Sequence, residues 1–187
     1  ESTLISHLLG DRAFSYLIKD FFREIDSAVS HHGGTIYQYA GDEMLIHWPS
    51  SSTKYYEEAL NAFEELSASL VSKETKYKKL YGLSPRFKAA LHSGKVVVTW
   101  VGQSKKEILY QGEVLNVTAR ITELAKRTGY SLVVSQAFFD GLGLRNKALK
   151  YAGNFPVRGL ETRLPLYGYT SLSKQKNRWF EVESSQN

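Results

Sequence analysis

Helices packed on a mostly antiparallel sheet, an α+β fold, are what this sequence predicts, and three observations carry the prediction. Apolar residues recur at helical spacing over 11–32, 54–80 and 113–126. Short runs rich in β-branched and aromatic residues, punctuated by glycine, lie between and after these segments. No internal repeat or linker divides the 187 residues, a length that buries about 70% of the unfolded surface. The expectation is one domain over 1–172 and a loose tail over 173–187, despite Trp179 and Phe180 in the tail.

Composition narrows the class. Hydrophobic content of 42% and aromatic content of 13% exclude a disordered chain. No apolar run approaches the ~18–20 residues of a membrane span, and no signal peptide is expected of the polar Glu1–Thr3 start. Zero cysteines removes disulfides and thiolate metal sites and fits a reducing, cytoplasmic setting. The net charge of +5 invites a polyanionic partner. Much of it sits in Lys73–Lys79 and in 174–178, runs that also read as solvated faces.

The first long segment opens at Gly10-Asp11, with Asp11 as the cap, and carries Phe14, Leu17, Ile18, Phe21, Phe22, Ile25 and Val29 on one stripe. Gly33-Gly34 ends it. His31 and His32 at that end, with no acid close in sequence, read as surface residues and not as metal ligands. Thr35–Ala40 and Glu43–Trp48 then form a hairpin around Gly41-Asp42. Ile36, Gln38 and Ala40 are expected on one face, with Thr35, Tyr37 and Tyr39 on the other. Asp42 at the tip reads as a turn-former or as a metal ligand.

Thr53 caps a helix expected to run unbroken from Lys54 to Leu80, with Ala59, Phe63, Leu66, Leu70 and Val71 inward. Gly82 and Pro85 break it. Arg86–His92 and Lys95–Val101 are expected as a strand pair joined at Ser93-Gly94. The run Val96–Val98 predicts cover on both faces. A strand over Ile108–Gln111 leads through Gly112 into a helix from Glu113 to Lys126, ended by Gly129. Its buried face is Val114, Val117, Ile121, Leu124 and Ala125, while Asn116, Arg120 and Glu123 share another. Ser131–Val134 is a strand, and Ser135 caps a short helix to Asp140. Leu149–Ala152 and Leu164–Thr170 are closing strands. A ferredoxin-like β-α-β-β-α-β core fits this order if a first strand precedes Glu1.

Three pieces, in this order, carry a resemblance: the hairpin Gly33–Asp42, the segment Phe87–Val96, and Tyr110–Arg120 with its Gly-x-x-x-Asn-x-x-x-Arg spacing. Together they resemble the catalytic domain of the class III adenylate and guanylate cyclases, over about Ser2 to Thr170. The resemblance implies a homodimeric enzyme, two domains packed head to tail, that converts a nucleoside triphosphate to a 3′,5′-cyclic nucleotide and pyrophosphate. It implies two divalent cations, magnesium or manganese, held by two aspartates. One maps onto Asp42; the other is expected on the strand upstream of Glu1. Asn116 corresponds to the ribose-positioning asparagine and Arg120 to the arginine at the reacting phosphate, with Arg158 as a basic residue for the terminal phosphates.

Base selection departs from the family pattern. Gln38 stands where lysine or glutamate is usual, and Leu109 where Asp or Thr is usual. Gln38 donates and accepts and so suits either purine, whereas Leu109 offers a base edge no hydrogen bond. ATP is the first expected substrate. A pyrimidine or guanine nucleotide, or an inactive nucleotide-binding regulator, is the alternative. A nucleic-acid-binding domain is a third reading, motivated by the basic balance and 12 tyrosines; it requires exposed aromatics on a sheet face. The family implies no nucleic-acid partner and no membrane contact by this segment, which in related proteins is attached to sensor or membrane segments.

Overall fold

The computed structural model describes residues 2–51, 54–143, 148–156 and 163–169. The fold is α+β, and two compact units are distinguished, meeting in sequence at Arg86 and Phe87.

The first unit begins with α1 (Ser2–Leu9) and α2 (Asp11–His31). Gly10, at φ 76°, separates the two helices, and the Asp11 side chain does not cap α2; its carboxylate accepts from Ser6 Oγ instead. The α2 stripe buries Leu17, Phe21, Ile25, Ala28 and Val29. The hairpin strands are β1 (Thr35–Ala40) and β2 (Glu43–His47), paired antiparallel. A bulge between Ile36 and Gln38 inserts Tyr37 as an extra residue, so the strict alternation expected of β1 does not hold through it. Gly34 sits under the Trp48 ring: a Cβ there would come within 2.7 Å of it. The Trp48 indole donates to the His32 carbonyl, which closes the hairpin's base onto the end of α2.

The single long helix expected after the hairpin is two: α3 (Tyr55–Ser72) and α4 (Glu74–Tyr81), broken at Lys73. Thr53 lies outside the described residues. Ala59, Phe63, Leu66 and Leu70 face inward as expected, but Val71 is exposed, because it stands one residue past Leu70, about 100° round the helix from the buried stripe. The break lets the Lys73 ammonium meet Glu24 of α2. Gly82 then caps α4 in the left-handed conformation that glycine takes freely.

The second unit holds β3 (Ala89–Leu91), β4 (Val97–Val101), β5 (Glu107–Gln111), α5 (Glu113–Arg127), β6 (Leu132–Ser135), α6 (Gln136–Leu142), β7 (Leu149–Pro156) and β8 (Arg163–Tyr169). A four-stranded sheet runs β3-β6-β8-β7, with β3 and β6 parallel and the other pairs antiparallel. Among the described residues β4 pairs only with β5, so the expected strand pair β3–β4 does not form: its members belong to different sheets. Nor is Val96–Val98 covered on both faces. All three valines are exposed, because β4 lies in a two-stranded ribbon with no layer packed over them. The core of this unit is Val117, Ile121 and Ala125 of α5 against Val133 and Leu166, with Leu124 partly buried beside them. Val114 is half-buried.

Candidate active site

Asp42 sits at the tip of the β1–β2 hairpin, where Gly41 takes φ 64° and Ala40 pairs with Glu43. A positive φ at the first central residue of a two-residue turn needs no side chain, and Gly41 supplies that. Asp42 is exposed and makes no hydrogen bond or ion pair with any described residue. Its carboxylate fits as one ligand of a divalent cation. Among the described residues, the one cluster of three metal-ligating side chains lies elsewhere, at His31, His32 and Glu65.

Beside the tip, an open depression of about 600 Å³ runs along α2, lined by Phe14, Ile18, Phe22, Arg23, Tyr39 and Gly41 among others. The Phe22 and Tyr39 rings meet at 5.3 Å between centroids. Gln38, immediately past the bulge, is exposed and stands opposite Leu45. It does not line this depression.

In the second unit, α5 places Asn116 and Arg120 one turn apart on the face away from Val117, Ile121 and Ala125. Asn116 is exposed and Arg120 half-buried. Arg120 makes no ion pair with any described residue, so the salt bridge to Glu123 that would give it an ordinary surface role is not there. Leu109 is half-buried on β5, opposite Thr99 of β4. Arg158 lies outside the described residues.

Two of the three sequence pieces touch through glycines. A Cβ on Gly112 would come within 2.7 Å of the Lys95 carbonyl oxygen, and one on Gly94 within 3.0 Å of Val114 Cβ. Only hydrogen fits at Gly112 and a Cβ at Gly94 would crowd Val114, so the segment following β3 seats directly on the first turn of α5. That seating fixes the start of the helix that carries Asn116 and Arg120.

Residue-by-residue reading of the sequence did not single out His92. Its Nδ1 lies 2.8 Å from the hydroxyl of Ser135, which is fully buried and also caps α6 by accepting from the Phe138 amide. Burial lowers the His92 pKa below its ordinary value near 6.5, with the charge of Glu113 pulling the other way. The neutral ring keeps this hydrogen bond in either tautomer, as acceptor or as donor. The unfolded chain therefore binds a proton more readily, and this contribution to stability is complete above about pH 6.5 and lost as pH falls through the folded pKa. Urea midpoints measured from about pH 8 down to about pH 5 are expected to fall less in His92→Gln than in the parent. Equal slopes would remove His92 from the acid sensitivity. Also missed was the partnering of the two histidines. His31 Nδ1 lies 2.8 Å from Glu65 Oε2, and His32 reaches Glu65 and Glu58, each at 3.0 Å. The acids come from α3, far along the chain, so no local signal reveals them.

No protein-family model matches the chain. It is 28% identical over 134 residues to adenylate cyclase 2 of Rhizobium meliloti (strain 1021), a match covering 72% of this chain and 37% of that protein. The chain thus spans little more than a third of that relative's length. Among solved structures it superposes on the adenylyl cyclase CyaB from P. aeruginosa with a TM-score of 0.78 at 15% identity, covering 92% of this chain and 90% of that one. The guanylate cyclase domain of RhGC from Catenaria anguillulae, in complex with GTP, gives a TM-score of 0.77 at 17% identity, covering 91% of each chain. Curated relatives and solved neighbours converge with the three sequence pieces: in sequence this chain is similar to adenylate cyclases, and its fold is that of the class III nucleotide cyclase catalytic domains.

Proposed function

We propose that the chain, as one catalytic domain over 1–172, cyclises a nucleoside triphosphate, ATP first, releasing pyrophosphate. The observation that supports this most is the Asn116–Arg120 pair, side by side on α5 with the guanidinium unpaired among the described residues. An amide and a planar cation one turn apart suit a ribose and the phosphate joined to it. In the reaction, the ribose 3′-oxygen attacks the α-phosphorus, its proton leaves, and the bond to the β,γ-diphosphate breaks. Asn116 holds the ribose so that this oxygen faces the phosphorus, and Arg120 meets the negative charge that builds on the phosphoryl oxygens. Divalent cations, with Asp42 as one ligand, supply charge neutralisation and a more acidic hydroxyl.

The active form in this reading is a head-to-tail homodimer, each site joining Asp42 of one subunit to Asn116 and Arg120 of the other. The β4–β5 ribbon supports a second copy: Val97, Val98, Trp100, Val101 and Ile108 are all exposed, an apolar surface that water disfavours. Gln38 and Leu109 are the base-reading positions. ATP leads because the curated relative is an adenylate cyclase; the GTP-bound neighbour keeps guanine open as an alternative. A second reading, a nucleotide-binding regulator without turnover, draws on Leu109, whose apolar side chain leaves a polar base edge unpaired.

The test is incubation of the protein, extended upstream of Glu1, with each of the four triphosphates and Mn²⁺, with products read by mass spectrometry. Cyclic product that depends on metal and is strongest from ATP is expected. Binding of nucleotide without cyclic product from any of the four would favour the regulator.

A further inference from the structure

At the end of α2, four side chains converge that the cyclase reaction does not use. His31 and His32 are the last residue and the C-cap of that helix, their rings 5.0 Å apart. Glu65 Oε2 lies 2.8 Å from His31 Nδ1 and 3.0 Å from His32 Nε2, and Glu58 Oε2 lies 3.0 Å from His32 Nδ1. His32 is largely covered, its side chain 18% exposed.

The donor count at His32 is the telling feature. A neutral imidazole has one N–H, yet both of its nitrogens face carboxylate oxygens. One carboxylate is therefore met by a lone pair unless the ring carries a second proton or a cation stands between them. With the N–H on Nδ1 donated to Glu58, the Nε2 lone pair points toward Glu65, and His31 Nδ1 points toward the same oxygen. A carboxylate behind one nitrogen and a lone pair at the other is how a metal-binding histidine is oriented. His31, His32 and Glu65 bring their ligand atoms within 4.8 Å of one another. Tetrahedral zinc bonded at 2.0–2.1 Å holds donors about 3.3 Å apart, so the two contacts to Glu65 open by roughly half an ångström or less while the two histidine nitrogens, within 4.8 Å, settle toward that spacing. The helix C-terminus adds its own preference for positive charge.

We propose that His31, His32 and Glu65 form a binding site for a single zinc-like divalent cation, with Glu58 orienting His32 and a fourth position left to water. The site is separate from Asp42 and does not depend on the cyclase reading. It joins α2 to α3, and the His32 carbonyl that accepts from Trp48 extends it to the base of the hairpin. A bound ion therefore stiffens the support of the catalytic loop.

Cobalt titration of the Asp42→Asn protein tests this, since that background removes the catalytic metal ligand. An intense visible ligand-field band of four-coordinate Co²⁺ is expected at one equivalent and is abolished by one equivalent of Zn²⁺. Glu65→Gln and His31→Gln are expected to lose the band while their metal-free melting temperatures stay close to the parent's. Glu58→Gln weakens binding 10–100-fold without abolishing it. Zinc raises the melting temperature of the parent but not of Glu65→Gln. No band in the Asp42→Asn protein, or a band that survives both Glu65→Gln and His31→Gln, overturns the site. A His32 ring whose nitrogen chemical shifts are those of an imidazolium, and do not move with zinc, assigns the cluster to a protonated histidine instead.

Discussion

Arg120→Ala is expected to lower cyclase turnover by ~10³-fold or more, the loss typical when an arginine that stabilises a phosphoryl-transfer transition state is removed. The stability change is small in comparison, about half a kcal/mol, because the side chain holds no described ion pair and sits off the buried stripe of α5. Asp42→Ala is expected to be equally inactive by a different route, through loss of a metal ligand. Mixing the two inactive proteins in equal amounts then gives a sharper test than either alone. In a symmetric dimer with shared sites, half of the pairs are mixed, and each mixed pair has one intact site. Activity should return to about a quarter of the parent level. No recovery, with both proteins folded and dimeric, would sink the shared-site arrangement.

Ile121→Ala, one residue along, is expected to show the opposite profile. Ile121 is fully buried in the cluster with Val117, Ala125, Val133 and Leu166. Truncating a buried Ile to Ala leaves a cavity and costs about 2–5 kcal/mol. In a domain of ordinary stability that is a large share of the total, so the urea midpoint should drop markedly with the slope unchanged. Turnover per folded molecule should stay close to the parent's. Two adjacent residues of one helix thus separate function from fold. A variant that lost turnover while keeping its midpoint would mean that Ile121 positions Arg120 and is not merely packing.

Much of this was legible in the sequence because the signals are local. The α2 stripe, the Gly41-Asp42 turn, the Ser135 cap and the buried face of α5 each follow from spacing or turn chemistry within a few residues. The three family pieces named the fold, and two of them are now seen to meet at Gly94 and Gly112. What failed was non-local. The valine run of β4 reads as interior because apolar content tells nothing about what lies opposite, and here nothing in the ribbon's own sheet covers it. The break at Lys73 offers no glycine or proline; an ion pair with Glu24, 49 residues earlier in the chain, stabilises it. The Tyr37 bulge shifts the phase of β1 without any residue that announces it. The histidine cluster depends on acids supplied by a helix beyond the hairpin.

Trp100 of the β4–β5 ribbon, 70% exposed, has an optical consequence. An indole in water emits at longer wavelength than one enclosed by protein, whereas Trp48 is already partly covered and hydrogen-bonded to His32. If the ribbon is where two copies meet, the emission maximum shifts to the red on dilution as pairs separate, in step with falling specific activity. The molecule then carries its own unlabelled gauge of assembly, and Trp100→Phe is the blank against which to read it.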